Sequence, residues 1–380
     1  MKWLENLLKK NEKYKVPFCM VKKKVFVGLS GGVDSSVSAA LLKEQGYDVF
    51  GVFIKVWQPD FLACTWKEDR LDAIRVAAHL DIPFMTLDLE KEYKESVVNY
   101  MVEEYKAGRT PNPDVMCNKT IKFGAFLKKA LELGADYVAT GHYARNIFNE
   151  KTKLYEFYAG VDNNKDQSYF LWTLNQEQLK HILFPVGGYE KPRVREIANK
   201  FGLLTATKKD SQGLCFVGKL DMKDFLKHFI SEKRGDVLNE KKEIVGYHDG
   251  AQFYTIGQRH GFTVTEKTSE DIPFYVIGKN VENNTVIVSH RKKEESSLEP
   301  DSRRKTVSLA SVNWIRGESP QDTSCLQARV RYRQPLQECV LKKDRDNFTI
   351  DFKEPQIVDN GQSAVLYDGS ICLGGGVVET

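Results

Sequence analysis

No stretch of this chain approaches the ~18 consecutive apolar residues of a membrane-spanning helix, so no transmembrane span is expected. None of the seven cysteines stands in a CxxC pair: positions 19, 64, 117, 215, 325, 339 and 372 are scattered. That scatter argues against a zinc site or iron–sulfur cluster of the usual spacing. The first 24 residues are polar and Lys-rich, contain Glu5 and Glu12, and have no long apolar core. A secretory leader is therefore not expected. The acids and the lack of Arg weigh against a mitochondrial transit peptide, so the cytoplasm is the expected location and the mitochondrial matrix the alternative. An odd cysteine count fits a reducing compartment, where a lone Cys is buried filler or a reactive group. Excess charge is scarce too: the net value is +4, too small to argue for nucleic acid from the total. Internal repeats and low-complexity tracts are lacking. What remains is the composition of a globular protein, 41% apolar and 28% charged over 380 residues, enough for two or three domains with real cores.

The first half alternates strand and helix. Apolar runs at 25–27, 49–54, 83–87 and 135–140 read as buried strands, and 69–79, 90–105 and 123–133 as helices. This rhythm predicts an α/β domain with an open parallel sheet. After about residue 220, short β-like runs at 253–256, 274–277 and 286–288 are separated by Gly, Asn and charged turns. Residues 291–305 are charged and Ser-rich and read as a linker. Runs at 328–332, 339–341, 348–352 and 364–367 suggest a small C-terminal β-barrel, with Gly374 to Gly376 as one of its turns. The expected division is 1–222 (with 1–22 an extension whose Trp3, Leu4, Leu7 and Leu8 fall at helical spacing), 223–295 and 296–380.

Gly28-Leu29-Ser30-Gly31-Gly32-Val33-Asp34-Ser35-Ser36 joins the first strand to a helix. Such a turn presents free backbone N–H groups and the positive end of the helix dipole to an anion. No Lys follows the glycines, so this is not a Walker loop. In open sheets, ligands bind at the carboxyl ends of strands. Ile54 and Gly141-His142 sit at such ends as well. A second unusual segment is Gly108-Arg109-Thr110-Pro111-Asn112-Pro113-Asp114-Val115-Met116-Cys117-Asn118, where two prolines flanking Asn112 predict a stiff, non-helical loop. If a helix starts at Asp114, its dipole stabilises a Cys117 thiolate, the reactive form, and Asp114 is placed to shuttle a proton. The same residues also read as an N-cap and a half-buried Cys. A third is Lys208-Lys209-Asp210-Ser211-Gln212-Gly213-Leu214-Cys215, where Cys215 is either a reactive thiol beside two lysines or the start of a buried strand. Arg329, Arg331 and Arg333 alternate along an expected strand and would form a basic stripe on one face.

GLSGGVDSS, GRTPNPDVMCN, ATGHYAR, NKDQSYFL, KKDSQGLCF, TIGQRHG, ARVRYRQ and GQSAVLYDG followed by CLGGG run in order along nearly the whole chain. The loop resembles the SGGxDS pyrophosphate loop of the N-type ATP pyrophosphatases. The full set resembles the tRNA-specific 2-thiouridylases, the MnmA/TrmU family. The resemblance implies ATP with Mg²⁺, activation of the C2 oxygen of the wobble uridine as an adenylate, and sulfur transfer from a cysteine persulfide. It implies that Gly28, Leu29, Ser30, Gly31, Gly32, Val33, Asp34 and Ser35, with Ile54 and Gly141, bind ATP. Cys215 would carry the persulfide and Cys117 would cut it or pair with it in a disulfide. Asp114 would be the acid/base at the flipped uracil, embraced by Asn112 and Pro113. Contacts to tRNA would come from His142, Lys165, Asp166, Gln167, Arg331, Tyr332 and Gln362. The implied partners are tRNAs for Glu, Gln and Lys and a sulfur donor, either a cysteine desulfurase or a relay protein, with no membrane. Asp34 is the one candidate for a metal contact. The segment from Pro59 to Arg70 departs from the family pattern, with Cys64 and Trp66 where many members carry an acidic loop, which puts a surface lid or donor contact in doubt. A ligase of the same ATP-splitting superfamily would need no paired cysteines, and an RNA-binding module would consume no ATP.

Overall fold

The computed structural model describes residues 22–61, 66–210, 222–265, 273–290, 303–321, 323 and 325–379. Cys19, Cys64 and Cys215, the N-terminal extension and most of the expected linker lie outside the described residues.

β1 (Lys24–Gly28) carries a Val-Phe-Val run that is buried on both sides, as the centre of a parallel sheet demands. Val25 and Val27 point into one apolar core and Phe26 into another, the period-2 alternation of a strand. β1 pairs in parallel with β2 (Asp48–Lys55) and β4 (Tyr137–Ala139). With β3 (Phe84–Asp88) and β7 (Ile182–Leu183) the order is β3-β2-β1-β4-β7. Strand order therefore reverses between β1 and β4, and the crevice beyond their carboxyl ends is the default ligand site of such a sheet.

Helix α1 (Val33–Glu44) follows β1, and α2 (Trp66–His79) follows β2. Helix α3 runs from Glu90 to Lys106 through a π turn at Lys94–Val98. Helix α4 corrects the sequence expectation. It begins at Pro113, ten residues before the expected start, and continues through a π segment at Cys117–Phe126 to Glu132. The prolines do not keep this segment out of a helix. Pro113 takes the first helical position, where a missing N–H costs nothing, and Asn112 caps it through its side chain.

The hairpin β5 (Ala144–Asn149) and β6 (Leu154–Ala159) leaves the parallel sheet, and β6 pairs with a strand of the C-terminal barrel at Tyr158 opposite Ile371. Helix α5 (Lys191–Lys200) returns to pack on α1. After α6 (Met222–Lys227), a five-stranded sheet is built from β8 (Gly235–Leu238), β9 (Ile244–His248), β10 (Thr263–Val264), β11 (Tyr275–Asn280) and β12 (Thr285–Ser289). The strand expected at 253–256 is instead a short 3-10 turn at Ala251–Phe253 entered from Gly250, whose φ of 146° no side-chain-bearing residue adopts readily.

Six antiparallel strands then close into a barrel: β13 (Arg303–Trp314), β14 (Leu326–Arg329), β15 (Gln337–Asp344), β16 (Asn347–Ile357), β17 (Ser363–Asp368) and β18 (Ile371–Glu379). The β13–β18 pairing completes the ring. Gly374 to Gly376 lie inside β18 rather than in a turn. A Cβ on Gly374 would fall 2.1 Å from the Asn313 carbonyl oxygen, so glycine lets the closing strands approach.

The arginine stripe is also overturned. β14 ends at Arg329, and Arg333 has φ 62° in the turn beyond it. Arg329 points inward and pairs with Asp166, their side chains 9% and 5% exposed. Tyr367 Oη accepts from Arg329 Nη2 at 2.9 Å, while Asp166 also accepts from Gly160 N and Ser168 N. This pair fastens the α/β domain to the barrel. Asp166→Ala strands a buried guanidinium, and chemical denaturation is expected to report a loss of about 3–5 kcal/mol.

Candidate active site

The turn after β1 is shaped by three serines and two glycines. Ser30 N donates to Ser35 Oγ at 3.2 Å, and Ser36 Oγ donates to the Gly32 carbonyl at 2.8 Å. Gly31 has φ 74°, and a Cβ there would sit 2.4 Å from the Asp69 carbonyl oxygen of α2. Gly32 is the N-cap of α1, and no side chain caps that end, leaving its backbone donors to an anion. Gly141, just past β4, presses on the same turn: its Cβ would come 2.7 Å from Ser35 N. The two strand ends at the switch point thus touch. Leu29 and Val33 are buried and anchor the loop from below. Ile54, near the end of β2, is buried in the core layer opposite α1.

Asp34 in the first turn of α1 is engaged. Tyr143 Oη donates to its Oδ1 at 2.7 Å, and Lys191 Nζ donates to both carboxylate oxygens at 2.8 Å. The same ammonium lies 2.9 Å from Asp210 Oδ1, and Asp210 also pairs with Lys165 and Arg195. Burial, with Asp34 beside it, holds the Tyr143 hydroxyl far above its ordinary pKa. Burial pushes Asp210 upward, but Lys165 and Lys191 outweigh it and bring it down to about 2. A depressed folded pKa contributes stability above the unfolded value of about 4 and loses it as pH falls through the folded one. Thermal melts from pH ~4 to ~2 should therefore fall more steeply for the native protein than for Asp210→Asn. The donor set does not suit magnesium, since Asp34 is neutralised by a lysine. Among the described residues, no group of three His, Cys, Asp or Glu side chains could hold a metal.

The second locus is the start of α4. Asn112 Oδ1 accepts from Val115 N at 3.2 Å, and Asp114 follows Pro113 in the first turn. Cys117 is the fifth helical residue, one turn in, and is fully buried. Asn112 and Pro111 form one wall of a cavity of about 250 Å³ whose other walls are Tyr169, Arg331, Tyr332 and Gln362. Four expected RNA-contacting residues, far apart in sequence, meet here. Drug-sized sites span roughly 300–1,000 Å³, so this one suits a single planar base. Arg331 Nε and Gln362 Oε1 are buried with no hydrogen-bond partner. Both residues line the cavity, and unpaired buried polar atoms are uncommon.

Four other residues expected to contact tRNA have partners within the protein. His142 is buried; Lys122 Nζ donates to its Nε2 at 3.3 Å and its Nδ1–H donates to Thr140 Oγ1 at 2.7 Å. Burial and the neighbouring Lys122 keep its pKa well below the usual value, so the ring is neutral. Lys165 pairs with Asp210, Asp166 with Arg329, and Gln167 Oε1 accepts from Tyr143 N. Cys339 and Cys372 are core residues whose thiols burial pushes up to about 12, which makes them inert. Sequence reading missed Lys191: it sits in no glycine-rich or cysteine-bearing motif, and only packing of α5 on α1 brings it to Asp34.

A parallel sheet with a glycine–serine anion loop at its switch point, joined to a barrel with which it lines a base-sized cavity, defines a nucleotide-binding α/β enzyme class. Family models agree along the chain: a tRNA methyl transferase HUP domain matches residues 23–219, a tRNA methyl transferase PRC-barrel domain 223–290, and an aminomethyltransferase beta-barrel domain 304–378. The tRNA-specific 2-thiouridylase MnmA of Listeria innocua is 48% identical, over 94% of this chain and 95% of that protein. That of Streptococcus thermophilus is 45% identical over the same shares. The chain belongs to the tRNA-specific 2-thiouridylase family. Among solved structures, the U34-tRNA thiolase NcsA from Methanococcus maripaludis aligns at TM-score 0.35 and 17% identity, over 60% of this chain and 74% of that one, too slight a likeness to carry an argument.

Proposed function

We propose that the protein is an ATP-dependent tRNA sulfurtransferase that turns the wobble uridine into 2-thiouridine. The observation that carries this is the small cavity at the start of α4. It gathers Asn112, Arg331, Tyr332 and Gln362 from two domains beside the helix that bears Asp114 and Cys117. Its two tyrosines and its polar lining suit a base that has left its stack.

ATP binds with its phosphates on the loop Gly28 to Ser35 and its adenine toward Ile54 and Gly141; magnesium, when bound with ATP, would screen the phosphate charge. Asp114 takes the proton from the uracil ring nitrogen as the C2 oxygen attacks the α-phosphorus, and pyrophosphate leaves. AMP is then a far better leaving group from C2 than oxide. Sulfur comes from a persulfide on Cys215. Cys117 as thiolate attacks the inner sulfur of that persulfide, the S–S bond breaks, and the outer sulfur departs as sulfide. Sulfide adds to C2, and AMP leaves with the former C2 oxygen. The two cysteines end as a disulfide, which an external thiol reduces. The sulfur donor is a cysteine desulfurase or a relay protein, and the acceptors are tRNAs for Glu, Gln and Lys.

Incubating the protein with such a tRNA, Mg·ATP and a persulfide source, then digesting to nucleosides for mass analysis, tests the reading. A 2-thiouridine derivative that requires ATP supports it. Unmodified tRNA from folded, ATP-binding protein overturns it.

A further inference from the structure

The three walls of the cavity come from distant parts of the chain, and one buried carboxylate oxygen ties them together. Asp359 Oδ2 accepts from Thr110 Oγ1 at 2.7 Å, from Ile256 N at 3.2 Å and from Lys279 Nζ at 3.2 Å. Thr110 directly precedes Pro111 and Asn112, the first wall, and its own N–H donates to the Asn360 carbonyl at 2.7 Å. The Ile256 carbonyl accepts from Arg331 Nη2 at 2.7 Å, which fixes the second wall. Gln362, the third, donates its backbone N–H to the Asp359 carbonyl. The Lys279 and Asp359 side chains are 8% and 5% exposed, so this is an interior ion pair. Lys279 comes from β11 of the central sheet and also donates to the Tyr254 carbonyl at 2.7 Å.

We propose that Asp359, with Lys279 as its counter-charge, is a positioning residue that sets the spacing of the cavity walls from behind. The proposal rests on the reading of that cavity as the site for the RNA base. A buried carboxylate with fixed donors is geometrically demanding, because each unsatisfied group is costly and each bond holds a direction. It gives the central domain a defined role, since Lys279 and the turn around Ile256 bring its side of the junction to a cavity that the α/β domain and the barrel otherwise line. Neither Asp359 nor Lys279 lines the cavity, so neither is a catalytic residue.

Removing Thr110 Oγ1 breaks one of the three bonds without leaving a charge unpaired. In Thr110→Val the KM for tRNA and the filter-binding Kd for tRNA should rise about tenfold, the scale of one hydrogen bond to a charged group, with kcat at saturating tRNA held within about twofold. The Kd for ATP should stay at its native value, since the phosphate loop is not part of the junction. Thr110→Ser keeps the hydroxyl and should restore native tRNA affinity. Asp359→Asn paired with Lys279→Met, which leaves no lone buried charge, should raise the KM for tRNA further. A purely structural role would instead lower the active fraction, so kcat would fall while both KM values stayed put. That result, or native tRNA affinity in Thr110→Val, overturns the proposal. Should the native protein itself bind no tRNA, the functional reading beneath it fails instead, and the two failures are distinguished by that one control.

Discussion

Cys117→Ser and Cys215→Ser should each cut 2-thiouridine formation from a persulfide donor by at least about 10³-fold, the scale of losing a nucleophile that acts as part of a unit. A hydroxyl at position 215 holds no persulfide, and a hydroxyl at position 117 is not ionised near neutrality and does not attack sulfur. The Cys117 substitution is nearly isosteric at a fully buried position in α4, so the fold should survive it. The same variants should behave differently when free sulfide replaces the persulfide. Activation of uridine by ATP needs neither thiol, and sulfide added in solution bypasses delivery. Both variants should then recover a substantial part of native activity, read by mass analysis of the nucleosides. Loss of activity with both donors would remove the two-thiol account and assign Cys117 to the activation step. Retention with both would remove thiol chemistry altogether and favour a ligase of the same ATP-splitting superfamily.

The second large effect is expected at Gly31. Its φ of 74° already disfavours any residue with a Cβ, and the Cβ itself would meet the Asp69 carbonyl oxygen at 2.4 Å. That oxygen belongs to α2 backbone, so the phosphate loop must move rather than a side chain. Displacements near 1 Å at a reacting centre cost on the order of 10²-fold in rate. Gly31→Ala should therefore lower kcat/KM for ATP by about that factor or more, with tRNA binding unchanged, in steady-state kinetics with ATP varied. Gly46→Ala is the internal control. Its φ is 90°, yet nothing lies within 4 Å of the added methyl group. It carries the backbone strain of about 1–2 kcal/mol alone, and should lower stability while leaving the kinetics of ATP use intact. Equal kinetic defects in both variants would mean that general strain, rather than displacement of the loop, accounts for Gly31.

Much of this was legible in the sequence because the signals are local. The Val25-Phe26-Val27 run, the glycine-rich turn and the alternation of strands and helices are set within about 20 residues, and they appear in the structure as the central strand, the α1 N-terminus and the parallel sheet. The prolines around Asn112 were misread because proline at the first helical position favours a helix, whereas further into the helix it breaks it. The arginines near 329 alternate as a solvated strand would, but the partner of Arg329 is 163 positions away in sequence, and no periodicity reveals it. The hairpin at 144–159 belongs by sequence to the α/β domain and by pairing to the barrel. Lys191 and Asp359 were missed for the same reason: each gains its meaning from contacts between segments distant in sequence. The role assigned to Cys215 rests on the resemblance of its segment alone, since the residue lies outside the described residues.

The central chemical claim is that ATP converts the C2 oxygen of uridine into a leaving group. A tRNA carrying heavy oxygen at C2 of the wobble uridine tests that directly, with the AMP produced during thiolation measured by mass spectrometry. Adenylation followed by sulfur displacement predicts that the heavy oxygen appears in AMP, one label for each uridine thiolated. Thiolated tRNA accompanied by unlabelled AMP would contradict it, because the oxygen would have left by a route in which ATP never held it.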